Sequence, residues 1–336
     1  TRGRMPQSHE VNGVTTPKKN RPIPNKTVLG LVLAFGFLVA IGGPALGQNE
    51  PEIHTGTTEK QTVYAKNYMI AAANPHAAIT GTDILRKGGS AVDAAIAASL
   101  VLGLVEPQSS GPGGGGYLLH WSATSKTVDS YDGREAAPAV ITADHFLEAD
   151  GRPVSRKDAH FGGRTVGVPG QIRLFAAAHA KHGKLPWKDL FQPVIALAEN
   201  GFAISPRLHK QVKYRRKKLK DPAARAYFLD ADGEALPVGH ILVNKELAAT
   251  MREIAAKGAG AFYKGAIARD IAKAVTNAEE YPSPMTEADI AGYRADARQP
   301  VCMIYREHRV CGMGPSSTGG LTVAMTLGIL EHFDMA

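Results

Sequence analysis

The residue best placed for chemistry is Arg134, in Asp132-Gly133-Arg134-Glu135. It follows directly on Thr127 to Tyr131, which reads as a strand, and a strand end is a rigid place from which to aim a side chain. A guanidinium is a planar fork that meets a carboxylate in two parallel hydrogen bonds, so the chemistry on offer is carboxylate recognition. The alternative is a structural ion pair, with the adjacent Glu135 as partner.

Other chemistries fit less well. Ser110-Gly111-Pro112-Gly113-Gly114-Gly115-Gly116 resembles a phosphate loop in composition only. No Gly-Lys-Ser/Thr follows it, and it leads into a strand instead of opening a helix. Close backbone approach beneath a site is the better reading, since only glycine permits it. Seven Lys and Arg crowd residues 210–220, but without an aromatic platform they read as a solvated helix face and no nucleic-acid partner is expected. The twelve histidines are scattered with no pair at metal-binding spacing such as His-Glu-x-x-His, so no metal is assigned, and no cofactor. No Gly-x-Ser-x-Gly elbow is present, which argues against an α/β-hydrolase.

The elements that must position Arg134 are legible from local signals. Met69 to Ala73 reads as a short buried strand. Asn74-Pro75 caps a helix that stops at Gly88-Gly89. Ser90 and Asp93 form a capping box for the next helix, whose Val92, Ala95, Ile96, Ser99, Leu100 and Gly103 make a mostly small face suited to packing on a sheet. Tyr117 to Trp121, a polar turn over Ala123 to Lys126, and Thr127 to Tyr131 read as a β-hairpin. Helical patterns recur over 171–182, 190–200, 245–257 and 265–278. Val301 to Met313 reads as a second hairpin turning at Arg306-Glu307, a register that places Cys302 opposite Cys311. The pair is then a disulfide or, if the turn shifts by one residue, two separate buried thiols. Mixed helices and antiparallel hairpins indicate α+β layering.

The composition is that of an ordinary globular protein, 44% hydrophobic and 21% charged. The net charge of +8 is concentrated at the start: residues 1–47 hold six Lys and Arg against Glu10 alone, and so carry +5 of it. Lys18 to Lys26, the apolar run Val28 to Ile41 and the small residues around Ala45-Leu46-Gly47 form a secretory signal, with cleavage before Gln48. The run is short for a bilayer-spanning helix, which needs ~20 residues, and membrane anchoring is the alternative. The expected organisation is a signal peptide (1–47), a mobile lead-in (48–62) and one domain (63–336), with a periplasmic or secreted location.

Several segments together resemble the gamma-glutamyltransferase family. Gly88-Gly89-Ser90-Ala91-Val92-Asp93-Ala94-Ala95-Ile96-Ala97 is similar to its "GGNAVDAAVA" helix start. Pro107-Gln108 and the glycine run into Tyr117 resemble its "PQ…GGGGF" strand. Tyr131 to Pro138 resembles its "D-x-R-E-x-A-P", and Val166 to Gly170 its "VPG". Leu185-Pro186-Trp187 with Gln192 to Ala198, Phe262 to Gly265 ("FYKG") and Gly314 to Gly320 ("PPPSSGG", here with an added Thr318) follow in family order, over about residues 68–335.

The resemblance implies an N-terminal-nucleophile hydrolase with a four-layer αββα sandwich. Its precursor cleaves itself so that a threonine becomes the N-terminus of a small subunit. That threonine attacks the γ-glutamyl amide of glutathione and passes the acyl group to water, an amino acid or a dipeptide, with its own α-amine as base. The family's arginine that grips the glutamyl α-carboxylate falls on Arg134. The family's "T-T-H" processing site is not found in these residues, so no catalytic residue is assigned. The expectation is an incomplete enzyme, the large-subunit part, inactive without the small subunit. Two other readings stay open: a cephalosporin or glutaryl acylase-like hydrolase, and a non-catalytic exported binding protein.

Overall fold

The structure is a computed structural model that describes residues 61–155 and 162–334. The expected signal peptide and most of the lead-in lie outside the described residues.

Asn74 opens the first helix, α1 (Pro75–Arg86), its side chain accepting from the His76 amide at 3.0 Å. Gly88, at φ +88°, turns the chain out of it in the left-handed region that glycine enters without steric cost. Helix α2 (Ala91–Val105) begins with the expected capping box, Ser90 and Asp93 each bonding the other's backbone N–H. Asp93 is fully buried, and the oxygen that accepts from Ser90 also accepts from the amides of Lys184 and Leu185 at 2.9 and 3.0 Å. One carboxylate thus fixes the start of α2 to a distant loop.

Strands β1 (Gly116–Ser122) and β2 (Thr127–Gly133) form the expected hairpin, with Gly116 opposite Gly133 and His120 opposite Asp129. Helix α3 (Gln171–His182) packs on both strands. Helix α4 (Gln192–Asn200) is preceded by a 3₁₀ turn over Trp187–Phe191, so the helical pattern expected from Leu190 begins in that turn. Then come β3 (Phe202–Ala203), α5 (Pro206–Arg215), α6 (Pro222–Phe228) and β4 (Ile241–Leu242), which pairs with β3. They are followed by α7 (Lys245–Lys257), α8 (Gly260–Tyr263), α9 (Ala266–Thr276) and α10 (Glu287–Gly292). Strand β5 (Asp296–Arg298) adds to β2 and completes a three-stranded antiparallel sheet. Strands β6 (Val301–Tyr305) and β7 (His308–Gly312) form the second hairpin, and α11 (Gly319–Leu330) packs against it.

The α+β class is as expected, and so is the second hairpin's register. Tyr305 pairs with His308 and Cys302 with Cys311, and the cysteines are joined by a disulfide.

Three expectations need correction. Met69 to Ala73 is not a strand: Met69 is 58% exposed, and no strand among the described residues lies beside the segment to take up its backbone groups. Helix α2 does not lay its small face on a sheet. Val92, Ile96 and Leu100 join the core, while Ala95, Ser99 and Gly103 line a cavity. The basic run is helical only to Arg215, and a 3₁₀ turn carries it on to Lys218. Within it Lys210, Lys213, Lys217 and Lys220 are exposed.

Candidate functional site

The cavity beside α2 has a volume of about 860 Å³. The glycine run forms its floor, Arg134 and Glu135 one wall, and Gln171 and Phe175 of α3 another. The loop closes against the end of β2 at Gly115, where there is no room for a side chain. A Cβ on Gly115 would stand 2.9 Å from the Arg134 Cα and closer still to the Gly133 carbonyl oxygen. The Gly114 carbonyl accepts from the amides of Gly170 and Gln171 at 2.9 and 3.1 Å, which ties the loop to the start of α3.

Beneath this loop lies Glu106, 2% exposed at the end of α2. Its carboxylate accepts from Asn74 at 2.8 Å, Gln108 at 2.7 Å and Arg207 at 2.7 Å. Its backbone carbonyl accepts from the amides of Ser109 and Ser110. One buried group therefore joins the cap of α1, the end of α2, the glycine loop and α5. Such a group is costly to bury unless it is hydrogen-bonded and paired with a cation, and here both oxygens accept and Arg207 supplies the charge.

Arg134 sits where expected, one residue beyond β2 on the cavity wall. Its backbone is held from two directions. The amide donates to Asp132 Oδ1 at 3.0 Å, and the carbonyl accepts from the Tyr293 hydroxyl at 2.6 Å. Asp132 is itself held by Arg298 of β5 at 2.6 Å. The Tyr293 hydroxyl is kept protonated: burial above all, then the negative charges of Asp132, Glu135 and Asp296, push its pKa up to about 12. The guanidinium remains 54% exposed, with Nε 3.1 Å from Glu135 and the charge 5.9 Å from the centre of the Tyr117 ring. Both readings of Arg134 are thus present in the geometry, an ion pair with Glu135 and a cation open to the cavity.

Tyr117, at the start of β1, also lines the cavity, and its hydroxyl lies 2.7 Å from Ser316. That contact brings the Gly314 to Gly320 segment to the same site from almost two hundred residues away. The glycine run, Arg134 and this segment, separate in sequence, therefore converge.

A family model described as "Gamma-glutamyltranspeptidase" matches residues 77–336. The chain belongs to the gamma-glutamyltranspeptidase family.

The glutathione hydrolase proenzyme of Bacillus subtilis (strain 168) is 36% identical over 277 residues, covering 82% of this chain and 46% of the relative. The chain spans about half the length of the curated relatives it matches. The crystal structure of Helicobacter pylori gamma-glutamyltranspeptidase superposes with a TM-score of 0.77 at 32% identity, covering 82% of this chain and 78% of that one. Cephalosporin acylase from Bacillus halodurans superposes with a TM-score of 0.71 at 29% identity, covering 86% of this chain and 53% of the other. The fold is that of the gamma-glutamyltranspeptidase family of N-terminal-nucleophile hydrolases, and the family is one of hydrolases and transferases.

The sequence singled out Arg134 and the glycine floor, which lie together in this site. It did not single out Glu106, Gln171, Phe175, Tyr117 or Tyr293. Only Tyr117 carried a local signal, as the first large residue after the glycine run.

Proposed function

We propose that this chain is the donor-binding part of a gamma-glutamyltransferase that cleaves the γ-glutamyl amide of glutathione and passes the acyl group to water, an amino acid or a peptide. The observation that carries the reading is Arg134, mounted on a doubly held backbone at the wall of the glycine-floored cavity. Its role is to pair with the α-carboxylate of the glutamyl group. Glu135 shields the charge until a substrate displaces it.

No residue here is given the nucleophile's role. That role is proposed for a threonine in a small subunit cut from the same precursor, with its freed α-amine as base. These 336 residues alone would then not turn over substrate. The exposed apolar side chains of α11, among them Leu321, Val323, Met325 and Ile329, support a reading in which that subunit covers them. Export to the periplasm or beyond is proposed from the 18–47 signal pattern, and the disulfide supports it, since such bonds persist in oxidising compartments. A second reading, acylase-like hydrolysis of another acyl group, has the structural likeness to cephalosporin acylase in its favour.

The test uses a precursor completed with a small subunit. Arg134→Lys should raise KM for a γ-glutamyl anilide ~10-fold or more, because an ammonium cannot make the planar two-bond contact. An unchanged KM sinks the role given to Arg134. Faster turnover of a cephalosporin or glutaryl substrate than of the γ-glutamyl anilide would select the second reading. Clear turnover by residues 48–336 alone would place the nucleophile within this chain.

A further inference from the structure

We propose that His120, Asp129 and His182 form a binding site for a divalent transition-metal ion of the zinc class, at the opposite end of the β1–β2 hairpin from the glycine cavity.

His120 and Asp129 face each other directly across the hairpin, and His182 is the last residue of α3, the helix packed on those strands. One ligand atom from each of the three lies within 4.8 Å of the other two. Zinc holds nitrogen and oxygen ligands at ~2.0–2.2 Å, so tetrahedral ligands stand ~3.4 Å from one another. His182 Nε2 is already 3.1 Å from Asp129 Oδ2, close to that spacing. The His120 ligand atom lies within 4.8 Å of both, so closing to metal-ligand spacing requires its side chain to approach further.

Two features are left over by a purely structural reading. His120 Nδ1 is buried and has no hydrogen-bond partner, a cost that a native site normally avoids. The imidazole rings of His120 and His182 are also stacked, with centres 3.9 Å apart. Two protonated rings would repel at that distance. A cation shared between two neutral rings and a carboxylate removes both difficulties and uses the donor set that zinc, cobalt and nickel prefer. The Tyr131 hydroxyl hydrogen-bonds the same His182 Nε2 at 3.0 Å, a bond that must give way when that nitrogen takes a metal.

Lys181 is the competitor. Its ammonium stands 2.8 Å from Asp129 Oδ2, and its side chain is 60% exposed, so it can swing into solvent when a metal arrives. No linear metal-binding spacing links these residues. The three ligands come from two strands and a helix, and only the hairpin register and the packing of α3 bring them together.

The site stands four residues along β1 from Gly116, about 13 Å from the cavity floor at the ordinary strand rise. A bound ion would staple the end of α3 to the hairpin whose other end carries Arg134.

The test is titration of the purified, EDTA-treated full chain with Co²⁺, followed by visible d–d absorption, and with Zn²⁺ by calorimetry. One equivalent is expected. His182→Gln should weaken binding by more than ~100-fold, since losing even an outer-shell partner of a metal ligand costs 10–100-fold. Lys181→Met, which removes an exposed competing charge, should tighten binding by about tenfold. Absence of one-equivalent binding, or affinity unchanged by His182→Gln, would overturn the proposal. So would Lys181→Met binding no more tightly than the parent, a result that does not depend on how well the histidine variant folds.

Discussion

Alanine at Gly115 should damage both stability and donor binding, whereas alanine two residues earlier should not destabilise the fold. An added Cβ at Gly115 stands 2.9 Å from the Arg134 Cα and 3.0 Å from the Glu135 amide nitrogen, and nearer still to the Gly133 carbonyl. Ordinary carbon–carbon contact begins at ~3.5 Å, so the end of β2 must retreat by about 0.6 Å or more. Overpacking of that size costs ~1–3 kcal/mol. The displaced segment is the one that holds Arg134, and a misplacement approaching ~1 Å can cost on the order of 100-fold in rate. Gly113 has nothing within 4 Å of its added Cβ, and its φ lies outside the left-handed region. Alanine there should be neutral or stabilise by ~0.4–1 kcal/mol through the unfolded state. Urea unfolding of both variants, together with kcat/KM of Gly115→Ala in a completed precursor, measures this. Equal stability of the two variants would refute the claim that the close approach to β2 requires glycine at 115.

Two further perturbations test the supports of the site. Tyr293→Phe removes the hydrogen bond to the Arg134 carbonyl and should cost about 1 kcal/mol at neutral pH. The pKa of Tyr293 is raised to about 12 in the fold from an ordinary 10.0, so its stabilisation is complete below pH 10 and is lost as pH rises towards 12. The alkaline fall in stability, about 2–3 kcal/mol from this residue, should therefore shrink in Tyr293→Phe, while the share from buried Tyr263 persists. An alkaline limb of the same depth in both proteins would contradict the assignment. Glu106→Gln leaves one acceptor oxygen for three donors and removes the negative charge that faces Arg207. With Arg207 26% exposed, a loss of ~2–3 kcal/mol is expected, below the ~3–5 kcal/mol of a fully buried broken pair. Thermal melting should show a fall of ~5–10 °C, and an unchanged melt would show that the glycine loop does not depend on this carboxylate.

What could be read in advance was local. The Ser90–Asp93 capping box, the Asn74-Pro75 helix start, the β1–β2 hairpin and the register of Cys302 against Cys311 all rest on single turns or on segments joined by one short turn, where chain geometry leaves few choices. What escaped was long-range. Met69 to Ala73 has the composition of a strand, but only a neighbouring strand can make it one. Asp296–Arg298 is too short and polar to announce itself, and becomes β5 because Asp132 and the edge of β2 receive it. Glu106 carries no local signal. Its function as an anchor depends on Asn74 and Arg207, which approach from 32 positions before it and 101 after it. Arg134 stood out in its motif as a candidate, but the support of its carbonyl by Tyr293 did not.

The bond between Cys302 and Cys311 has a consequence for how the chain matures. These 336 residues contain two cysteines, so only one intramolecular pairing exists and oxidation within them cannot scramble. The partners are nine positions apart, and a loop of that length closes in ~10–100 ns even in an unfolded chain. Oxidation can therefore precede folding. Once closed, the bond excludes every hairpin register that separates the two sulfurs, so the strands meet already aligned. A bond formed before the hairpin would thus set its strand register, and its presence in a sample records exposure to an oxidant, not completion of the fold.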